Sequence, residues 1–110
     1  MTKVTLTQRA EARLDDILIW TEETFGPAQT DRYASVVLDR IARLGDGTAQ
    51  CRSCDLLTGH AEDADLEVTR AGEHLIVFKR LPDEIPILDF LHGRRDLPQH
   101  LPRLSDLKET

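Results

Sequence analysis

Two kinds of hydrophobic repeat divide this chain. Lys3 to Leu6 alternates, with Val4 and Leu6 on one face, and predicts a short strand. Thr7 follows as an N-cap, because its hydroxyl can accept from a free amide of the first helical turn. From Gln8 the apolar positions fall at Ala10, Leu14, Ile17, Leu18, Thr21 and Phe25, a helical stripe with Trp20 at its edge. Gly26 can end that helix and Pro27 can open another in its first turn, so the pair predicts a helical hairpin. The second helix is expected from Pro27 to Leu44, with Tyr33, Val37, Ile41 and Leu44 inward and Val36 and Leu38 flanking. Gly45 and Gly47, around Asp46, are expected to stop it.

No period is sustained from Asp46 to Asp65, which reads as a long connection. Period two then takes over. Leu66 to Arg70 and His74 to Leu81 predict two strands around an Ala71-Gly72-Glu73 turn, with Ile76 and Phe78 on one face of the second and Leu75, Val77 and Lys79 on the other. After a turn at Leu81-Pro82-Asp83-Glu84, the near-continuous apolar run Ile85 to His92 predicts a central strand covered on both faces. The order β-α-α-β-β-β implies an α+β fold, a helical hairpin packed on a small, mainly antiparallel sheet. The 110 residues form one domain on this reading, with a core over 3–101 and a tail over 102–110.

Charge narrows the function. Fourteen basic residues against twenty acidic ones give a net charge of −6, which disfavours a general nucleic-acid binder and suits a protein target. The apolar runs are too short to span a bilayer and Met1 to Gln8 has no apolar signal core, so a cytoplasmic protein is expected. Cys51-Arg52-Ser53-Cys54 has no second CxxC to complete a zinc site and no βαβ context for redox chemistry. It reads as two free loop thiols, and no metal or cofactor is expected. Glu62-Asp63-Asp65-Glu67 reads as a solvated acidic loop, and Leu101, Leu104 and Leu107 as a short amphipathic turn.

Three patches carry a resemblance. Ala10-Glu11-Ala12-Arg13-Leu14-Asp15-Asp16-Ile17 leads to Trp20-Thr21, Phe25-Gly26, Ala28-Gln29 and Arg32-Tyr33. His74-Leu75-Ile76-Val77-Phe78-Lys79 forms the second patch, and Leu91-His92-Gly93-Arg94-Arg95-Asp96-Leu97-Pro98 the third. In that order they resemble the ParE branch of the RelE/ParE toxins, over roughly residues 3–101. The resemblance implies a growth-arresting toxin of a type II toxin–antitoxin system, neutralised by a ParD-like antitoxin that wraps the hairpin and the sheet. ParE-like toxins are associated with DNA gyrase, whereas RelE-like relatives cleave mRNA on the ribosome. A third possibility is a degenerate relative that binds antitoxin without toxicity.

A metal-free ribonuclease needs a proton acceptor, cations for the phosphate and a donor for the leaving oxygen. The sole tyrosine, Tyr33, is assigned to packing, and Leu75 occupies the strand position where the nucleases often carry arginine, so target binding is favoured over turnover. His92, Arg94, Arg95 and Asp96 are the expected target contacts, since an arginine fork can pair with a carboxylate or phosphate. Each has a structural alternative, in a strand-end cap, an intrachain ion pair or a hydrogen-bonded histidine. Lys79 and Arg80 are secondary cations. Trp20, Leu75 and Val77 are expected at the antitoxin surface, with packing between helix and sheet the competing role for Trp20. Direct sequence-specific nucleic-acid binding is not expected.

Overall fold

A computed structural model describes residues 2–54, 61 and 65–92. The elements in chain order are β1 (Lys3–Leu6), α1 (Gln8–Phe25), α2 (Pro27–Asp46), β2 (Arg52–Ser53), β3 (Leu66–Ala71), β4 (His74–Lys79) and β5 (Glu84–His92). The sheet order is β1-β5-β4-β3-β2. The β1–β5 pair is parallel and the others are antiparallel. This is the expected α+β class, with one strand more than the sequence pattern announces. Arg52–Ser53 pairs with Val68 and Glu67 inside the stretch read as a connection.

Thr7 joins helix to sheet. Its hydroxyl accepts from the Ala10 amide at 3.2 Å and donates to the Ile87 carbonyl at 2.9 Å, and its own amide reaches the same carbonyl at 3.0 Å. The cap therefore fixes where α1 starts relative to β5. The hairpin turns at Gly26, whose amide bonds Glu22 O at 2.9 Å, and Pro27 opens α2. The predicted stop at Gly45 is corrected. Helix α2 continues to Asp46 and ends at Gly47, which takes the left-handed conformation with φ 82°. Gly45 lies inside the last turn, buried, and its carbonyl accepts from Thr2 N at 2.8 Å.

One hydrophobic cluster fills the space between hairpin and sheet. Ala10 of α1, with Val37 and Leu44 of α2, meets Ile76 and Phe78 of β4 and Ile85, Ile87 and Phe90 of β5. Each fully buried large side chain contributes about 1.5–3 kcal/mol. Leu14, Ile17, Tyr33 and Ile41 pack at its margin, as their spacing predicts. A second cluster, which includes Leu66, Val68, Leu75, Val77, Leu88 and Leu91, lies on the other face of the sheet. The continuous apolar run of β5 thus serves both faces by strand alternation, and a bulge resets the phase so that Phe90 joins the face of Ile85 and Ile87. Ile87 pairs with Phe78 and Asp89 with Val77, leaving Leu88 as the extra residue.

Gly72 sets the β3–β4 turn. Its φ of 60° is one that side-chained residues avoid, and a Cβ there would lie 2.7 Å from Tyr33 Cε1. The turn and the second helix are built against each other at this point, which brings His74 under the hairpin.

Candidate functional site

A cleft of about 810 Å³ opens between the hairpin and the ends of β4 and β5. Its floor is Phe90, which is fully buried. Helix α1 supplies one wall through Arg13, Asp16 and Trp20, placed at helical spacing along a common face. Phe25 extends that wall, with its ring edge-on to Trp20 at 5.8 Å and 79°. The other wall is polar: Tyr33 from α2, Glu73 from the turn, His74 from β4 and His92 from β5.

Strand register assembles the histidines. His74 sits directly opposite His92, and their rings lie 5.5 Å apart at 82°. The Tyr33 hydroxyl reaches Ala71 O at 3.0 Å and also contacts His74 Nδ1. A phenol has one proton. Given to Ala71, it leaves His74 Nδ1–H to donate to the phenol oxygen and places the lone pair of neutral His74 on Nε2. Burial pushes the Tyr33 phenol up to about 12, opposed by the Glu73 backbone amide and reinforced by the Glu73 carboxylate. Tyr33 is therefore a neutral latch at physiological pH. His92 Nε2 lies 3.8 Å from the exposed Glu73 carboxylate.

The cleft's electrostatics are lopsided. Arg13 Nε faces Asp89 Oδ1 at 3.4 Å, and that nearly buried carboxylate also accepts from Phe90 N at 2.8 Å. The charge of Arg13 is thus neutralised within the fold. Asp16 and Glu73 are both exposed, and Asp16 forms no ion pair with any described residue. The cleft presents aromatic faces, and its lining carboxylates outnumber its arginine by two to one.

The residues singled out from sequence divide accordingly. His92 is in the cleft. Trp20 is 53% exposed, so it is not packed between helix and sheet, and Phe25, placed in the inward stripe by its spacing, is 62% exposed. Leu75 and Val77, expected at a partner surface, are instead buried at 7% and 0% exposure. Strand alternation sends them into the second cluster, where they already have partners. Lys79 and Arg80 stand at the far end of β4, about 17 Å from His74 at the usual strand rise. Arg80 Nε pairs there with Glu67 Oε2 at 2.9 Å, and its guanidinium lies 5.5 Å from the Phe78 ring centroid. Arg94, Arg95 and Asp96 lie outside the described residues.

Sequence reasoning missed Tyr33, His74, Asp16 and Glu73 as members of one site. A signal for two of them was present. The alternation that turns Ile76 and Phe78 inward turns His74 the same way, and the stripe of the second helix brings Tyr33 to meet it. Cys51 packs against the first cluster and Cys54 lies in the second, so the two free thiols occupy opposite faces. Among the described residues no group of His, Cys, Asp and Glu could hold a metal ion, and no helix is long and apolar enough to cross a membrane.

The chain is similar in fold to a protein of the chromosomal ParDE toxin–antitoxin system of P. aeruginosa, with a TM-score of 0.62 and 16% identity over 84% of this chain and 96% of that one. No curated protein matches it. The family model described as the ParE toxin of the type II toxin–antitoxin system parDE matches residues 4–97, which takes in the cap at Thr7, the hairpin, every strand from β2 to β5 and the whole cleft. With that span matched on a hairpin-over-sheet fold, the chain belongs to the ParE toxin family of type II toxin–antitoxin systems.

Proposed function

We infer that this chain arrests growth in the cytoplasm by binding DNA gyrase, and that a ParD-like antitoxin encoded beside it holds it inactive. The observation that carries the reading is the family match over residues 4–97. Tyr33 supports a binding role over a catalytic one. Its phenol is tied to the β3–β4 turn and raised to about 12, so it is a poor acid or base at neutral pH. The exposed cleft aromatics Trp20 and Phe25 suit an antitoxin anchor, because large aromatics concentrate interface energy. His92 leads into the Arg94-Arg95-Asp96 segment, for which target contact remains the proposed role.

A second reading has one observation in its favour. His74 and His92, 5.5 Å apart in an open cleft, form the kind of imidazole pair that can share acid and base work in cutting RNA. Against it, the cleft carboxylates Asp16 and Glu73 repel a phosphodiester, and the lining cation, Arg13, already faces Asp89. Two assays separate the readings. The purified chain is expected to block gyrase supercoiling and to leave ribosome-bound mRNA intact. Cleavage of that mRNA, lost in His74→Ala with His92→Ala, together with normal supercoiling, reverses the order.

A further inference from the structure

The cleft is not a plain apolar groove, because aromatic and acidic side chains line it together. Three aromatic rings, Trp20, Phe25 and Tyr33, stand around it, two of them more than half exposed on the helix wall. Two carboxylates, Asp16 and Glu73, share the same space, and the lining arginine spends its charge on Asp89. Aromatic faces carry negative potential and attract cations, and carboxylates at the rim reinforce them. A long basic side chain fits both features, since its aliphatic stem packs on rings while its head reaches acid groups. The whole chain, at −6, draws a cationic partner towards it.

We propose that the cleft between α1 and the His74–His92 strand ends is a receptor for one arginine side chain of a partner protein, stacked against Trp20 and Phe25 and paired with Asp16 and Glu73. Arginine is the occupant in preference to lysine. Its planar guanidinium stacks on aromatic faces and forks onto a carboxylate, and it sheds water more easily than an ammonium. An anionic or phosphorylated segment is excluded by the same two carboxylates. That the partner is the antitoxin rests on the function proposed above; the chemistry of the pocket does not.

Trp20 is the sole tryptophan, so its emission reports occupancy without a label. Three acetylated, amidated peptides are titrated against the full chain, identical in sequence apart from one central arginine, citrulline or norleucine. The arginine peptide is expected to bind about tenfold or more tighter than its citrulline counterpart, the range that a desolvated cation–aromatic contact with carboxylate support provides. Asp16→Asn combined with Glu73→Gln is expected to erase that preference. Both side chains are exposed, so the variant keeps its fold, checked by circular dichroism. Equal binding of the arginine and norleucine peptides, or no binding of the arginine peptide, overturns the proposal. The neighbouring antitoxin is then titrated against both forms. If it binds the native chain and the double variant equally, the antitoxin is ruled out as the source of the arginine while the toxin–antitoxin reading stands. If it binds neither form, that reading falls, and the peptide series alone decides the receptor.

Discussion

The two ends of strand β4 handle polar groups in opposite ways. At the Arg80 end the charges are closed on one another: Arg80 pairs with Glu67 at 2.9 Å, covers the Phe78 ring and lies 3.7 Å from Cys51 Sγ. At the His74 end they are left open. Tyr33, His74, His92 and Glu73 form a connected line, yet Asp16, Trp20 and Phe25 across from them face a cleft. Lys79 and Arg80 read from sequence as secondary cations, and the Arg80 charge is taken up within the chain by Glu67. The end with aromatic and acidic groups to spare is where a partner can gain binding energy.

The largest effect tests whether the open end is nevertheless built on rigid core. Phe90→Ala removes the cleft floor from the first hydrophobic cluster and should cost about 3–5 kcal/mol in urea unfolding. Leu81→Ala, at the closed end and 44% exposed, should change stability by less than about 0.5 kcal/mol. Comparable losses for the two would mean that the cleft is not underlain by the main core. Gly72→Ala comes next. It forces a side chain into φ 60° and sets a Cβ against Tyr33, so a loss of about 2–3 kcal/mol is expected from strain and displacement together. If the turn tolerates alanine, the contact between Tyr33 and the turn is not what positions His74.

Much of this architecture was legible in the sequence, because it rests on local periodicity. The hairpin, its cap at Thr7, the turn at Gly72 and the interior place of β5 all follow from residue spacing. The misreadings have a common cause, in that they were decided by contacts distant along the chain. Strand β2 is two residues long and exists through pairing with β3, so it has no period of its own. Gly45 looks like a stop, but it stays in the last helical turn, where its carbonyl accepts from Thr2 N near the start of the chain. Alternation puts Leu75 and Val77 on one face of β4 without showing what covers it, and the second cluster occupies that face. The cleft joins four elements separated by up to about eighty positions, and no local pattern reports such a junction.

Tyr33 reports on the open end through pH. As the sole tyrosine, its ionisation is read directly from absorbance. Its folded pKa is raised above the unfolded value of 10, so the native state holds its proton longer. The stability it contributes is complete below pH 10 and is lost as pH rises from 10 towards 12. Urea midpoints of the native chain should fall across that window, and those of Tyr33→Phe should fall less. Phenolate appearing at pH 10 while the circular dichroism is still native would show that the phenol is not buried against the turn.

The smallest effects belong to the closed end. The Arg80–Glu67 pair has side-chain exposures of 50% and 25%, and a pair so open to solvent stabilises by about 0–1 kcal/mol. Glu67→Gln should therefore leave the unfolding midpoint nearly unchanged, and less altered still in high salt. Chemistry at the neighbouring thiol is the finer probe. Burial pushes the Cys51 thiol above its usual range, with Arg80 pulling the other way and Glu67 adding to the push. At pH 8 less of it is thiolate than in a free cysteine, so iodoacetamide should modify Cys51 more slowly than glutathione, with the rate still climbing beyond pH 9. Glu67→Gln withdraws one raising influence and should quicken the reaction modestly, without moving stability. A reaction as fast as that of glutathione would mean that the Arg80 end is as open as the cleft, and the contrast between the two ends of β4 would disappear.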